Sequence, residues 1–327
     1  MPSLKDIKRK VTAVQKTKQI TRAMNMVAAS KFKSSQLKME NFRPYAGKFM
    51  DVLNSLALRV DTSTHPLLAV RDPRRIRVIC MTSDRGLCGG FNTNLIKATE
   101  RFLRDKTHEG KEVAMINVGR KGRDFFRKKA NVLAQKVDCL SKFDMTLAVS
   151  IADEVIEPFI KAEYDELYLI YNQFVNVSVQ RPTVVRLFPL PSIGSPDADL
   201  ESDTRLDYVY EPSDEVLLHK LLPMYVHVLV YRALLETSAG ENGARMAAMD
   251  NATSNCEELI RTLTLKMNKA RQAAITAELM DIVGGTEALA KGGFCGGILR
   301  VKNIYTDYLQ GDSYEYRKDC SGYWSCC

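Results

Sequence analysis

Apolar residues near the start of the chain recur at helical spacing. Leu4, Ile7, Val11 and Val14 form one stripe, and Ile20, Met24 and Val27 form a second, rotated one. From Ser3 to Arg43 there is neither Gly nor Pro, and good helix formers dominate. The pattern predicts a single helix, on the order of 60 Å long at about 1.5 Å per residue. Its stripe is thin and drifting, with Lys and Arg in most other positions, so it needs a second long helix beside it rather than a compact domain. Pro44 and Gly47 mark the expected place for a bend, after which Phe49, Val52, Leu53, Leu56 and Leu58 carry the helix towards Val60. The partner lies at the other end of the sequence, where the forty residues between Gly243 and Gly284 again lack Gly and Pro. There Met246, Met249, Cys256, Leu259, Ile260, Leu263, Met267 and Ala270 recur at helical spacing, and Ala273, Ala274 and Ala277 narrow the surface for close approach. Two such helices at opposite ends imply an antiparallel coiled coil closed by a middle domain. A helical bundle would need more helices of matching length.

The middle of the chain changes period. A buried strand runs from Arg75 to Asp84, followed by a glycine turn and a helix over Asn92–Lys106. A strand over Glu112–Gly119, a helix over Arg120–Ala130 and a helical stretch at 145–164 come next, then strands at Asp165–Asn176 and Gln180–Leu190. Strands alternating with helices argue for a parallel α/β sheet. The expected organisation is a first coiled-coil helix over 1–60, a middle domain over 74–192, an acidic linker over 193–207 and a second coiled-coil helix over 208–289. The last segment, 290–327, stands apart.

Charge sharpens this picture. The 327 residues carry 47 Lys+Arg against 39 Asp+Glu, and residues 1–43 hold eleven of the bases against only Asp6 and Glu40. Residues 193–215 reverse the sign, with eight acids against Arg205 alone. The basic arm suits nucleic acid, a membrane surface or an acidic protein partner, or is simply a solvated helix face. It is short of aromatics, since Phe32 and Phe42 come first and sit at helical spacing as packing residues. No uncharged apolar run reaches the roughly 18 residues of a membrane span, and the start lacks the apolar core of a signal peptide, so a cytosolic location is expected.

Chemistry-bearing patterns are few. The segment Asp84-Arg85-Gly86-Leu87-Cys88-Gly89-Gly90-Phe91-Asn92 lies between a strand and a helix, where glycine turns can hold a phosphate. It is neither GxGxxG nor GxxxxGK[ST], so a tight connection or an exposed loop that touches another protein is the better reading. His65, His108, His219 and His227 fall in different segments without a nucleophile or a metal-ligand pair. His227 reads as a packed histidine, and Asp153, Glu154 and Glu157 as a solvent face. Four of the eight cysteines fall in the last 33 residues, and the others are scattered singly, as buried thiols are. Catalytic, cofactor and metal sites are not expected.

Three stretches carry a resemblance: KDIKRKVTAVQKTKQITRAMNMVAASKFKSSQ near the start, the loop TSDRGLCGGFNTN, and ARMAAMDNATSNCEELIRTLTLKMNKARQAAITAELMDIVGG. In this order, over about residues 1–289, they resemble the gamma subunits of the F-type ATP synthase, of the bacterial kind. The resemblance implies terminal helices paired as an antiparallel coiled coil inside an α3β3 hexamer, with a Rossmann-like parallel-sheet middle domain below. It implies a non-catalytic rotor that couples proton flow to conformational change at the beta subunits, on the cytoplasmic face of the plasma membrane. Expected partners are the alpha and beta subunits, epsilon and the c-ring, with no cofactor, no nucleic acid and no small-molecule substrate. By resemblance, Arg22, Met24 and Val27 lie on the shaft near acidic beta loops. Arg245, Gln272 and Thr276 match positions that hydrogen-bond a "catch" region of beta, and Asp84, Arg85 and Cys88 match a segment facing the lower end of beta. A nucleotide-dependent enzyme and a basic coiled-coil nucleic-acid binder are the competing readings.

One departure is large. Members of that family end close to the pattern seen here at Val283–Leu289, yet this chain continues for 38 residues. Codons for Tyr314–Cys327, YEYRKDCSGYWSCC, read one base along, permit M(S/N)(I/T)GKIVQVIGPVV, which resembles the start of a beta subunit. Gln310-Gly311-Asp312 can encode the purine-rich AGGGAG just before that Met codon. The tail is therefore expected to be intergenic and out-of-frame sequence.

Overall fold

The computed structural model describes residues 4–57, 65–140, 143–190 and 214–291. The acidic linker at 193–207 and the tail from 292 lie outside the described residues. Among the described residues five α-helices are present: α1 (Leu4–Ala57), α2 (Phe91–His108), α3 (Arg120–Phe126), α4 (Met145–Ile160) and α5 (Asp214–Lys291). Five strands accompany them: β1 (Arg75–Met81), β2 (Glu112–Val118), β3 (Asn131–Lys136), β4 (Glu166–Phe174) and β5 (Gln180–Phe188). The described residues divide into two compact units, one within Lys5–Thr264 and a second that contains α5 from Leu265 to Lys291.

In the larger unit the strands form one sheet in the order β3-β2-β1-β4-β5. The pairs β1/β2, β1/β4 and β2/β3 are parallel, as the alternation of strands and helices requires. Two features depart from the sequence expectation. β3 was not expected: it is an edge strand that alternates exposed and half-buried residues, so it lacks a buried apolar run. β5 is antiparallel to β4, because the connection over 175–179 is too short for a parallel crossover. The helical stretch at 145–164 ends at Ile160.

β1 is buried on both faces, as a central parallel strand must be. Ile76, Val78 and Cys80 pack with Leu95 of α2 and Phe126 of α3. Ile79 and Met81 pack on the opposite side with Ile151 and Val155 of α4, Leu222 and Val226 of α5, and Leu53 and Leu56 from the end of α1. Burying each such leucine contributes about 2 kcal/mol. Both terminal helices are thus anchored in the core of the middle domain. α1 continues as one helix through Pro44 and Gly47; both positions are exposed, so the backbone carbonyl that loses its partner at Pro44 faces water.

Within this unit α1 and α5 run antiparallel. Lys18 bridges to Glu257 at 2.8 Å, Thr21 meets Thr253 at 2.8 Å, and Asn25 donates to the Met246 carbonyl at 3.0 Å. Ser35 meets Ser238 at 3.1 Å, and Phe42 packs edge-on against Tyr231 with centroids 4.9 Å apart. Numbers rise on one helix as they fall on the other, which fixes the register. Phe32, by contrast, packs on Phe174 at the end of β4. In the second unit, α5 residues 271–289 are exposed all round, including Ile275, Leu279 and Ile282.

Candidate functional site: a cleft between the helix pair and the glycine loop

The loop after β1 is built from its own side chains. The Thr82 N–H bonds the Val118 carbonyl at 2.8 Å, extending the β1/β2 ladder by one residue. The Asn92 side chain then reaches back from the first turn of α2. It accepts from the Ser83 N–H at 3.0 Å and donates to the Ser83 hydroxyl at 2.7 Å and the Cys88 sulfur at 3.2 Å. Asp84 accepts from three backbone N–H groups, Arg120 at 3.0 Å, Asp138 at 2.9 Å and Leu140 at 3.3 Å. It therefore ties the start of α3 and the turn after β3 to the loop. Gly89 takes φ +56°, where glycine is at ease, but Leu87 takes φ +62°, a conformation costing a branched residue about 1 kcal/mol or more.

α5 meets this loop closely. A Cβ at Gly240 would come to 3.1 Å from the Phe91 ring, and one at Gly243 to 3.5 Å from Phe32 and 3.6 Å from Val177 Cα. One turn on, Arg245 Nη2 is 2.5 Å from Glu241 Oε1, and its Nε and Nη2 donate at 3.4 Å to the Gly86 carbonyl. Glu241 is buried and Arg245 half-buried. Burial pushes the Glu241 carboxyl up against the opposing pull of Arg245.

Between α1, the loop and α5 lies a cleft of about 500 Å³. Met24, Val27, Asp84, Arg85 and Arg245, five of the nine residues singled out in the sequence, line it. Cys88 is buried beneath, and desolvation raises its thiol pKa, so it is an inert thiol here. Arg22 is exposed on α1, its charge felt by Glu257. Gln272 and Thr276 belong to the second unit, both exposed, with the Thr276 hydroxyl donating to the Gln272 carbonyl at 2.9 Å. The sequence reading missed Leu87, Lys31, Lys38 and Glu241, all of which line the cleft. For Glu241 a signal existed, an acid four residues before Arg245 on a helix.

His227 is half-buried on α5, and besides packing there its Nε2 lies 2.9 Å from Asp153 Oδ1 on the exposed face of α4. Glu154 likewise pairs with Lys136, at 3.1 Å. His65 and His219, distant in sequence, stack with centroids 4.4 Å apart. Among the described residues no group of three or more His, Cys, Asp or Glu is placed to hold a metal, and no helix is long and apolar enough to cross a membrane.

The comparisons agree with this architecture. The ATP synthase family model matches residues 3–289. The chain is 70% identical over 292 residues to the ATP synthase gamma chain of Syntrophus aciditrophicus, covering 89% of this chain and 100% of that one. It is 47% identical over 289 residues to the gamma chain of Desulfotalea psychrophila, covering 88% of this chain and 100% of the relative. Among solved structures, it matches a chain of the central stalk and c-ring of the Tetrahymena thermophila mitochondrial ATP synthase with a TM-score of 0.54 at 28% identity, covering 71% of this chain and 99% of that one. A chain of the Euglena gracilis mitochondrial ATP synthase matches in fold with a TM-score of 0.62 at 20% identity, covering 91% and 98%. Nothing in these matches supports the nucleic-acid reading. The chain belongs to the ATP synthase gamma chain family.

Proposed function

We propose that this chain is the central-stalk rotor of an F-type ATP synthase. It couples proton flow through the membrane sector to conformational change at the beta subunits and carries no catalytic group of its own. The observation that carries the reading is the antiparallel pairing of α1 with α5, both rooted in the core of the α/β domain. Torque applied to that domain reaches the helix pair through the Arg245–Glu241 contact with the glycine loop and through the close approach at Gly240 and Gly243.

Its partners in this reading are alpha and beta around the helix pair, and epsilon and the c-ring at the α/β domain. The complex sits at the cytoplasmic face of the bacterial plasma membrane. Met24, Val27, Arg85 and Arg22 face acidic loops of beta, while Gln272 and Thr276 hydrogen-bond its catch region from the exposed end of α5. Charge pairing with a basic arm can be remade at each rotary step without a fixed socket. Asp84, Cys88 and Arg245 position the loop that presents Arg85.

The test is made on native membranes, from which the large ATP-hydrolysing complex is separated on a native gel. The chain is expected in that complex with alpha and beta. A complex that hydrolyses ATP and pumps protons without this chain would overturn the reading.

A further inference from the structure

Glu241 is 7% exposed, and carboxylates seldom sit so deep without a partner. It lies on α5 where α1 and the glycine loop close on that helix. The Lys31 ammonium favours its charge from α1, and the Asp84 carboxylate opposes it from the loop. Among the described residues its one hydrogen bond is accepted from Arg245, on its own helix. Glu236, also on α5, makes the contrast. That carboxylate likewise pairs with an arginine of the helix, Arg232 at 2.9 Å, but it also accepts the Phe174 N–H at 3.4 Å and so holds the sheet directly. Glu241 reaches beyond α5 only through Arg245.

Arg245 is the piece that reaches across. Its guanidinium is fixed on the helix side by Glu241 Oε1 at 2.5 Å and by Asn242 Oδ1 at 3.3 Å. On the loop side it has the Gly86 carbonyl, at 3.4 Å from both Nε and Nη2. A neutral acceptor at that distance is at the edge of hydrogen-bonding range, whereas a charge-assisted bond is roughly twice as strong as a neutral one. The grip of Glu241 therefore decides where the guanidinium sits. A long side chain left with that carbonyl alone gives up too much freedom to stay on it. Buried ion pairs are a poor source of stability beside apolar packing, so what this one adds is orientation.

We infer that Glu241 is a positioning residue for rotary coupling, which aims Arg245 at the Gly86 carbonyl and so keys α5 to the loop that follows β1. It acts through Arg245 and not by contact with a partner subunit. The inference rests on the rotor reading and names a residue that keeps the helix pair turning with the α/β domain. With the charge removed, Arg245 leaves the carbonyl for water in the cleft, and the helix pair lags the domain under load.

The experiment uses whole ATP synthase purified from membranes and reconstituted into liposomes. It carries Glu241→Gln, Glu241→Asp, Arg245→Gln, or Glu241→Gln together with Arg245→Gln. ATP-driven proton pumping per ATP hydrolysed is read beside the amount of the chain in the complex. Gln keeps the volume of Glu without its charge, and Asp keeps the charge in a smaller side chain. A residue that merely fills space tolerates Gln better than Asp, and a positioning carboxylate does the reverse. Glu241→Gln is expected in the complex at the wild-type amount with the pumping ratio reduced about threefold, while Glu241→Asp retains most of it. Arg245→Gln is expected to lower the ratio to a similar extent. The double variant should go no lower than Arg245→Gln alone, because the carboxylate then has nothing to aim. A wild-type ratio in either single Gln variant would overturn the inference, as would an Asp variant no better than Glu241→Gln. So would a double variant well below both singles, which would show Glu241 acting independently of Arg245. Loss of the Glu241→Gln chain from the complex would make it a folding residue and overturn it as well. Absence of the unsubstituted chain from the complex would instead remove the rotor reading beneath it.

Discussion

The hydroxyls of Thr21 and Thr253 meet at 2.8 Å across the seam between α1 and α5, and each is also within reach of a carbonyl of its own helix, Lys18 at 3.0 Å and Met249 at 2.8 Å, so one hydroxyl donates across the seam while the other donates within its helix. Thr21 is buried. With Ser35–Ser238 and Asn25–Met246, this pair makes the seam partly polar, so register rests on hydrogen bonds as well as apolar packing. Replacing Thr21 by Val removes one partner and is expected to cost about 1 kcal/mol. Replacing both threonines by Val should recover part of that loss, because no hydroxyl is then left facing an apolar neighbour. A double-mutant cycle on unfolding midpoints measures the coupling; additive losses would show that the two hydroxyls do not interact.

Asp84 and Arg85 are neighbours with opposite roles. The Asp84 carboxylate holds three backbone N–H groups from two other segments, so Asp84→Ala should cost about 2 kcal/mol of stability. Arg85 is exposed and has no ion pair among the described residues, so Arg85→Ala should stay within about 0.5 kcal/mol of wild type. Its effect is expected in coupled proton pumping instead. Urea unfolding read beside pumping per ATP separates the two, and equal destabilisation by both substitutions would refute the division.

His65 carries an acid sensitivity. Its ring is buried, its Nδ1 accepts the Leu67 N–H at 3.1 Å, and His219 stacks on it. Burial first, and the His219 charge second, lower its pKa to about 4. The unfolded chain, with an ordinary histidine near 6.5, binds the proton more readily over that window. The contribution is therefore complete above about pH 6.5 and is lost as pH falls towards 4. Discounted for water reaching the His219 side, it amounts to about 2 kcal/mol. Asn at 65 can accept the same N–H without titrating. Melting temperature followed from pH 7.5 to 4.5 should fall more steeply for the native chain than for His65→Asn, and parallel curves would disprove the assignment.

How far the sequence could be read follows from where each signal lay. α1 and the paired part of α5 were legible because long runs without Gly or Pro carry an apolar stripe too thin for a domain face. β1, β2 and β4 were legible as apolar runs between helices. β3 was not, since Val132 and Ala134 are only half-buried on an edge. In the site, resemblance pointed to Met24, Val27, Asp84, Arg85 and Arg245, and the fold gathers them in one cleft. That Arg245 turns inward to Gly86, 159 positions away, has no local signature. Nor has the pairing of His227 with Asp153, which depends on how α4 packs against α5.

For the residues beyond the family match we propose translation of intergenic and out-of-frame sequence. The match ends at residue 289, and the relative from Syntrophus aciditrophicus is covered over its whole length by 292 aligned residues. The intact mass of the subunit isolated in the complex is expected to correspond to a chain ending near Leu289 to Lys291. The full 36.8 kDa would make the tail genuine. The nucleotide sequence gives an independent check, since the frame one base along must stay open into a beta reading frame.

Two glycines should respond to the same substitution with opposite sign. Gly47 lies on an exposed position inside α1, and a Cβ there would meet nothing within 4 Å. Gly47→Ala removes backbone freedom from the unfolded chain and adds helix propensity, so it should stabilise by about 0.5–1 kcal/mol. Gly119 joins β2 to α3 at φ +101°, and a Cβ there would overlap the Thr82 carbonyl, which cannot withdraw without pulling on the end of β1. Gly119→Ala should therefore cost about 3 kcal/mol or more. Because the Thr82 hydroxyl also accepts the Gly122 N–H at 2.8 Å, the damage should extend into the first turn of α3. Thermal unfolding of the two variants tests both limbs: a rise of about 2–4 °C for Gly47→Ala, and for Gly119→Ala a loss large enough to lower the yield of folded chain. A destabilised Gly47→Ala would mean that α1 depends on that glycine's freedom, and so that the helix bends there in solution.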